Sequence, residues 1–318
     1  MTQENPPGQN ADIAASAFRS GFVALLGHPN AGKSTLLNAL VGYKLAAVSG
    51  LPQTTRDRIN GIVSRADMQV VFVDLPGLID PNDRLNETLR WRVLETLNDV
   101  DVVVHLVDVS EEKPVSDDMA AILGDVKRPM IFAANKVDLK TSEFHLASFM
   151  GELPGPGPGG YSASLVLSAA QEAGLPELLE AIRPHLIEGP PLYDTDHLTD
   201  RTMRFLVSEI VREKVYHYTH QEIPYATAVT IDEFIERKKA KWYIGATIHV
   251  ERDSQKGIVI GKKGDLLKRI SRTARQDCEK LCGSPIFLEL FVKVTPNWRK
   301  NDARLKEFGY DPPKRRKE

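Results

Sequence analysis

Gly27-His28-Pro29-Asn30-Ala31-Gly32-Lys33-Ser34 fits the pattern G-x-x-x-x-G-K-[ST] at every fixed position. A short apolar run, Phe22 to Leu26, precedes it, and a helix-like run, Ser34 to Leu40, follows. A strand turning sharply into a helix is the setting in which such a loop cradles phosphate. Its glycines let successive backbone N–H groups point inward, at the positive end of the helix. These eight residues and Thr35 beside them are candidate nucleotide-binding residues. Lys33 is expected to reach the β and γ phosphates, and Ser34 to ligate Mg2+. A glycine-rich turn is the bland reading, and the downstream sequence weighs against it.

Apolar runs at 61–64, 70–73, 102–107, 130–133 and 165–167 are short and rich in Val, Ile and Leu, as strands buried on both faces are. Helix-like stretches at 85–97, 116–125, 143–150 and 175–186 lie between and after them. This alternation predicts an α/β fold with a doubly wound parallel sheet and ligands at the carboxyl ends of its strands. The remaining candidates fall at those ends. Asp74-Leu-Pro-Gly77 follows one strand. There the aspartate is expected to hold Mg2+ through water and Gly77 to offer its N–H to a γ-phosphate. Thr54-Thr55 lies between this motif and the loop, and Thr55 is the candidate to complete the Mg2+ shell. Lys33, Thr55 and Gly77 are the candidate catalytic group.

Asn135-Lys136-Val-Asp138 reports on the base. A carboxylate can accept two hydrogen bonds from guanine, and adenine offers no such pair. If that carboxylate is buried, selectivity can exceed ~10⁴-fold. Asp138 takes this role, Asn135 braces the site, and the Lys136 stem covers the base plane. Ser168 and Ala169, at the start of Ser-Ala-Ala170, are expected near the guanine oxygen. Together these elements resemble the translation-factor-type P-loop GTPases, which implies GTP hydrolysis by water, with GTP, GDP and Mg2+ as ligands. Ras-like members place a water-orienting glutamine directly after D-x-x-G, where this chain has Leu78. Slow intrinsic hydrolysis is the expectation. GTPases similar to this one with Asn at the position of Asn30 can bind K+ against the phosphates, so Asn30 is a candidate K+ ligand.

The chain has 318 residues, 42% apolar and 26% charged, as expected of a soluble globular protein of about two domains. No apolar run approaches a membrane span. Residues 1–19, with Pro6-Pro-Gly8 and no apolar h-region, read as a disordered extension and not as a signal peptide. Cys278 and Cys282 are the only cysteines, which argues for a reducing cytoplasm and against a disulfide framework. The formal net charge of −2 hides a division. Residues 1–190 carry 15 Lys+Arg against 24 Asp+Glu, and residues 191–318 carry 26 against 19. The C-terminal half is therefore suited to a polyanion.

Residues 20–188 are expected to form the GTPase domain, 189–199 a linker, 200–310 a second domain, and 311–318 a basic tail. The second domain reads α-β-β-α-β: a helix over 201–215, strands over 225–235 and 242–250, a glycine-bearing turn, a basic helix over 265–281, and a strand over 286–292. Between that turn and the basic helix lies Gly257-Ile258-Val-Ile-Gly261-Lys262-Lys263-Gly264. A G-x-x-G loop with two lysines at a helix start can clamp a sugar-phosphate backbone. Lys268, Arg269, Arg272 and Arg275 can share one face of the helix that follows.

This order resembles a type II KH domain, making the second domain α+β. A P-loop GTPase followed by such a domain resembles the Era family across about residues 20–310. The first-switch stretch Pro52-Gln-Thr-Thr-Arg56 and the segment 198–214 are also similar to that family. The resemblance implies an RNA-binding GTPase of small-subunit ribosome assembly, with the 3′ end of the ribosomal RNA and a 30S-type particle as partners. A cytoplasmic monomer is the further expectation, and its basic tail is open to three readings: contact with RNA phosphates, peripheral contact with anionic lipid, or a solubilising terminus. The loop at 154–160, rich in Pro and Gly, and the N-terminal extension depart from the family pattern. Two other readings stay open: a regulatory GTPase docking a protein or membrane surface through its basic half, and an RNA-binding module whose nucleotide only stabilises the fold.

Overall fold

A computed structural model describes residues 17–49, 51, 54–77, 82–111, 115–140, 144–151 and 160–313. Residues 1–16 of the extension, Leu78, residues 154–159 of the Pro/Gly loop and residues 314–318 of the tail lie outside the described residues.

The first half contains β1 (Arg19–Leu26), α1 (Lys33–Val41), β2 (Ile59–Ser64), β3 (Met68–Asp74), α2 (Arg84–Asp99), β4 (Val102–Asp108), α3 (Asp117–Asp125), β5 (Met130–Asn135), α4 (Leu146–Gly151), β6 (Ala163–Val166), α5 (Leu175–Ile182) and β7 (Ile187–Glu188). The sheet order is β2-β3-β1-β4-β5-β6, with β7 antiparallel to the start of β1 and β2 antiparallel to β3. All other pairings are parallel. From β1 the chain winds first to one side and then to the other, so the loop after β1 lies at the topological switch point, where such sheets bind ligands. The strands β3 and β4 are buried along their whole lengths, which is why their sequences are mostly apolar without alternation, with Gln69 and His105 buried among the apolar residues. Each sheet face packs its own apolar cluster, one with Leu36, Leu37 and Leu178, the other with Val93, Met119 and Leu123. Asp83 starts α2 by accepting the Asn86 N–H at 2.9 Å.

The second half contains α6 (Met203–Tyr218), β8 (Ala228–Ile235), β9 (Trp242–Val250), α7 (Asp253–Ile260), α8 (Asp265–Cys282), β10 (Ile286–Val294) and α9 (Asp302–Glu307). Its sheet runs β10-β9-β8, with β10 parallel to β9 and β8 antiparallel. Two features differ from the sequence reading. The glycine-bearing turn is the end of a full helix, α7. Gln255 starts that helix by reaching back, its Oε1 accepting the Glu251 and Arg252 N–H groups. Only Gln255 and Val259 of α7 are buried, so Ile258-Val-Ile260 gives no helical period to read. The chain also continues past β10 into a lobe with Trp298, α9 and Tyr310, which packs on α2 through Leu85 and Leu89.

Residues between β7 and α6 hold no helix or strand and run along the β2–β3 edge. Gln69 Oε1 accepts the Leu192 and Tyr193 N–H groups at 2.7 and 2.9 Å, and the Ile62 N–H donates to the Leu198 carbonyl at 2.9 Å. The Ile62 N–H of the edge strand β2, which would otherwise face solvent, is thus satisfied, and the Gln69 side chain of β3 fastens the segment. Cys278 is buried and its thiol is pushed up to about 12, first by burial, which makes it an inert core residue.

Candidate nucleotide site and nucleic-acid interface

A cleft of about 390 Å³ opens above the carboxyl ends of β1 and β3, a size suited to a small-molecule ligand. Pro29, Asn30, Gly32, Lys33, Ser34 and Thr35 line one wall, Thr54, Thr55 and Gly77 another, and Lys136 the far end. Tight packing explains the glycines. A Cβ on Gly27 would lie 2.3 Å from the Leu106 carbonyl oxygen, and one on Gly32, at φ 100°, would lie 2.3 Å from Asn135 Nδ2. A Cβ on Gly77 would come within 2.8 Å of Pro29, so the D-x-x-G turn sits directly against the phosphate loop.

Lys33 Nζ lies inside the loop and donates to the carbonyls of Gly27 (2.9 Å) and His28 (2.8 Å). Burial lowers its pKa to about 8, against the opposing pull of Asp74. An ammonium held this way is ready for an anion. His28 Nε2 accepts the Ser116 N–H at 3.0 Å, tying the loop to the start of α3. Asn30 is exposed and takes a left-handed backbone, φ 65°.

Three oxygens meet at the base of the cleft. Ser34 Oγ donates to Asp74 Oδ2 at 2.6 Å and lies 2.7 Å from Thr55 Oγ1, which donates to the same Oδ2 at 3.2 Å. Asp74 is fully buried, its pKa raised first by that burial, and its Oδ1 has no hydrogen-bond partner among the described residues. A buried carboxylate with a free oxygen beside two hydroxyls fits a hard divalent cation. Thr54 turns the other way: its hydroxyl donates to the Leu51 carbonyl at 2.9 Å and lies 2.7 Å from Ser49 Oγ. The two adjacent threonines are thereby distinguished, and Thr55 is the one at the cluster.

At the opposite end, Asn135 acts as a bolt. Its Nδ2 donates to the Ala31 carbonyl at 2.8 Å and its Oδ1 accepts the Ala169 N–H at 3.0 Å. The Ser168 N–H donates to the Ala173 carbonyl. Within Ser168–Ala170 only the Ala170 N–H has no partner among the described residues, a distinction the motif alone does not make. Asp138 Oδ1 accepts the Ser168 hydroxyl at 2.6 Å. The Asp138 carboxylate is exposed and so keeps its water, and the burial on which the largest selectivity depends is not present in this structure. Lys136 pairs with Asp108 at 2.5 Å, which fixes its stem where it lines that end of the cleft.

The Gly261–Gly264 loop lies far along the chain, between α7 and α8. Gly261 and Gly264 have φ of 75° and 78°, and a Cβ on Gly261 would meet the Leu266 backbone N at 2.9 Å. Lys262 and Lys263 are exposed, Gly257 has open space around it, and Ile258 is 51% exposed. Lys268 and Arg272 continue the exposed basic face of α8. Arg269 instead lies over the Tyr218 ring at 4.8 Å, and Arg275 is paired with Glu279 at 3.1 Å.

A residue outside the candidate lists ties the two halves together. Arg56, next to Thr55, is 2% exposed and donates to the carbonyls of Pro224, Tyr225 and Thr227 and to the Tyr216 hydroxyl. Nothing in the local sequence signals this contact, because its partners lie at least 160 residues away.

Comparison with known proteins agrees with this geometry. Residues 22–136 match the family described as 50S ribosome-binding GTPase, and residues 222–299 match the KH domain family. A GTPase Era of Geobacter sp. (strain M21) is 45% identical over 94% of this chain and 100% of its own length. A GTPase Era of Thermotoga maritima is 43% identical over 92% of this chain and 98% of its own. A solved structure of an Aquifex aeolicus Era variant bound to GDP.AlF4- has a TM-score of 0.86, with 34% identity, covering 92% of this chain and 100% of its own. A solved Era in complex with MgGDPNP and nucleotides 1506–1542 of 16S ribosomal RNA has the same TM-score and identity, covering 92% and 99%.

Proposed function

The chain belongs to the GTPase Era family and hydrolyses GTP, and from that premise we propose that it binds the 3′ region of small-subunit ribosomal RNA during assembly of a 30S-type particle. One observation carries the RNA reading: an exposed glycine loop bearing Lys262 and Lys263 at the start of the 18-residue helix α8, with Lys268 and Arg272 beyond it. Such a loop admits a sugar-phosphate backbone and neutralises it. The matched GTPase model is described by the large subunit, but it covers only the first half. The solved relative in complex with 16S RNA aligns through both halves, so the small-subunit RNA is the better-supported ligand.

In this reading, residues Gly27 to Thr35 hold the phosphates, and Lys33 supplies the charge at β and γ. Ser34, Thr55 and Asp74 hold Mg2+, which stabilises charge developing on the transferred phosphoryl group when it is bound. Gly77 senses the γ-phosphate. Asp138 reads the guanine N1–H and amine, Lys136 covers the base, and the Ala170 N–H serves the guanine oxygen. The position after Gly77 is a leucine, so a water-orienting side chain is lacking there and intrinsic turnover is slow. Asn30 is the ligand offered to K+. We place the protein in the cytoplasm as a monomer. Among the described residues no helix is long and apolar enough to cross a membrane.

The test is RNA binding by the full chain with GDP and with a non-hydrolysable GTP analogue, using a single-stranded oligonucleotide of the small-subunit 3′ end. Different affinities in the two states are expected. Equal affinities would refute the switch, and absence of binding would leave the protein- or membrane-docking GTPase as the surviving reading.

A further inference from the structure

Thr55 and Arg56 are consecutive, and their side chains serve opposite halves of the molecule. The Thr55 hydroxyl lies in the oxygen cluster with Ser34 and Asp74. The Arg56 guanidinium enters the second half and fills a cage of backbone carbonyls between α6 and β8. Its Nη1 donates to Thr227 at 2.6 Å, and its Nη2 to Pro224 and Tyr225, both at 3.0 Å, and to the Tyr216 hydroxyl at 2.9 Å. The rings of Tyr216 and Trp298 lie 5.7 and 5.9 Å from its central carbon. Trp298 also closes the cage, its indole N–H donating to the Ala226 carbonyl at 2.9 Å. The next two residues are tied down as well. Asp57 pairs with Arg92 of α2 at 3.1 Å, and Arg201 donates to the Arg58 carbonyl.

A planar cation with several acceptors in fixed directions is a rigid anchor, which neither a lysine nor an apolar residue could supply. With Arg56 anchored, the backbone leaves the Thr55 hydroxyl little choice of position. We propose that Arg56 is a positioning residue for GTP hydrolysis: held by the carbonyl cage at 224–227, it sets Thr55 for the Mg2+ shell, so the catalytic site is complete only while the KH half is docked. The proposal rests on the reading above that Thr55 closes that shell.

The experiment uses the full chain and four proteins: wild type, Thr55→Ala, Arg56→Ala and Tyr216→Phe. For each, the GTP turnover is followed across a Mg2+ titration and the GDP affinity is measured separately. Arg56→Ala should reproduce Thr55→Ala, with turnover at limiting Mg2+ reduced about 10- to 100-fold. Its GDP affinity should stay within about twofold of wild type, because the phosphate loop and base site are untouched. Tyr216→Phe takes the Tyr216 hydroxyl out of the cage and should lower turnover about two- to fivefold. It decides the matter should Arg56→Ala not fold, wild-type turnover then overturning the proposal.

Wild-type turnover in Arg56→Ala beside a defective Thr55→Ala would overturn the role of Arg56 alone. Parallel loss of GDP affinity in Arg56→Ala would make it a residue of general stability and overturn the proposal as well. Wild-type turnover in Thr55→Ala would overturn the assignment of Thr55, and this inference with it.

Discussion

Neutralising the two lysines of the glycine loop should change how RNA binding responds to salt, by an amount that can be worked out. Lys262 and Lys263 are exposed between Gly261 and Gly264, and the second has a left-handed backbone with φ 54°. Asparagine tolerates that conformation better than alanine does, so Lys262→Gln with Lys263→Asn removes two charges and keeps the turn. For single strands, log K falls with log salt by about 0.7 for each phosphate neutralised. Losing two contacts lowers the slope by about 1.4. At about 0.1 M salt, one decade below 1 M, affinity then drops about 25-fold, or about 2 kcal/mol. The assay is fluorescence anisotropy with a labelled 3′-end oligonucleotide across a KCl series. Neither lysine lines the nucleotide cleft, so GDP affinity should not change. An unchanged slope would refute the reasoning. That holds even if affinity fell, since a uniform loss would mean a damaged loop and not two missing phosphate contacts.

Three other outcomes are expected. Lys33 titrates at about 8 in the ligand-free protein, against 10.5 for an ordinary lysine, with burial the main cause. Between those values the unfolded chain binds more protons than the folded one, so ligand-free stability rises with pH across that window. Bound phosphates favour the ammonium and cancel the rise. The difference in melting temperature with and without GDP should therefore shrink as pH climbs above 8, and a constant difference would refute the burial of that charge. Replacing Asp138 by Asn should weaken GDP binding about 100-fold, the loss of two charge-assisted bonds at an exposed site, with xanthosine diphosphate restoring part of it. Unaltered base preference by calorimetric titration would contradict the role of Asp138. Exchanging Na+ for K+ should raise wild-type turnover about tenfold, equivalent to ~1.4 kcal/mol of barrier; equal rates in the two salts would remove Asn30 from the cation-binding residues.

The phosphate loop, D-x-x-G, N-K-x-D and the glycine loop were legible because each is contiguous and each lies where a strand ends or a helix begins. The physics that makes them work is local: a turn, a run of N–H groups, a carboxylate at a strand end. The roles assigned within these motifs were less legible. Thr54 and Thr55 are chemically identical, and only the fold separates the one bonded to Leu51 and Ser49 from the one beside Asp74. Likewise, the N–H groups of Ser168 and Ala169 look as available as that of Ala170 until Ala173 and Asn135 are seen to occupy them. The helix α7 escaped because its apolar residues are adjacent, and only Val259 of the three points into the core.

The contact between the halves was illegible for a different reason, and it changes how the second half should be understood. Both segments that flank the cleft, the tract after Thr55 and the helix after D-x-x-G, are covered by it. The tract after Thr55 is held by the 224–227 carbonyls, while α2, which follows D-x-x-G, packs Leu85 and Leu89 against Trp298, Leu305 and Tyr310. Ion pairs of Arg84 with Asp302 and of Arg299 with Asp83 flank that contact. Trp298 belongs to both contacts, against Arg56 on one side and within the α2 cluster on the other. A shift of either segment must therefore disturb packing around one buried indole, and interiors packed at this density rearrange between discrete states and do not deform continuously. The residues after β10 thus do more than finish the KH domain: through Trp298 they join the tract after Thr55 and the start of α2 in one packed contact.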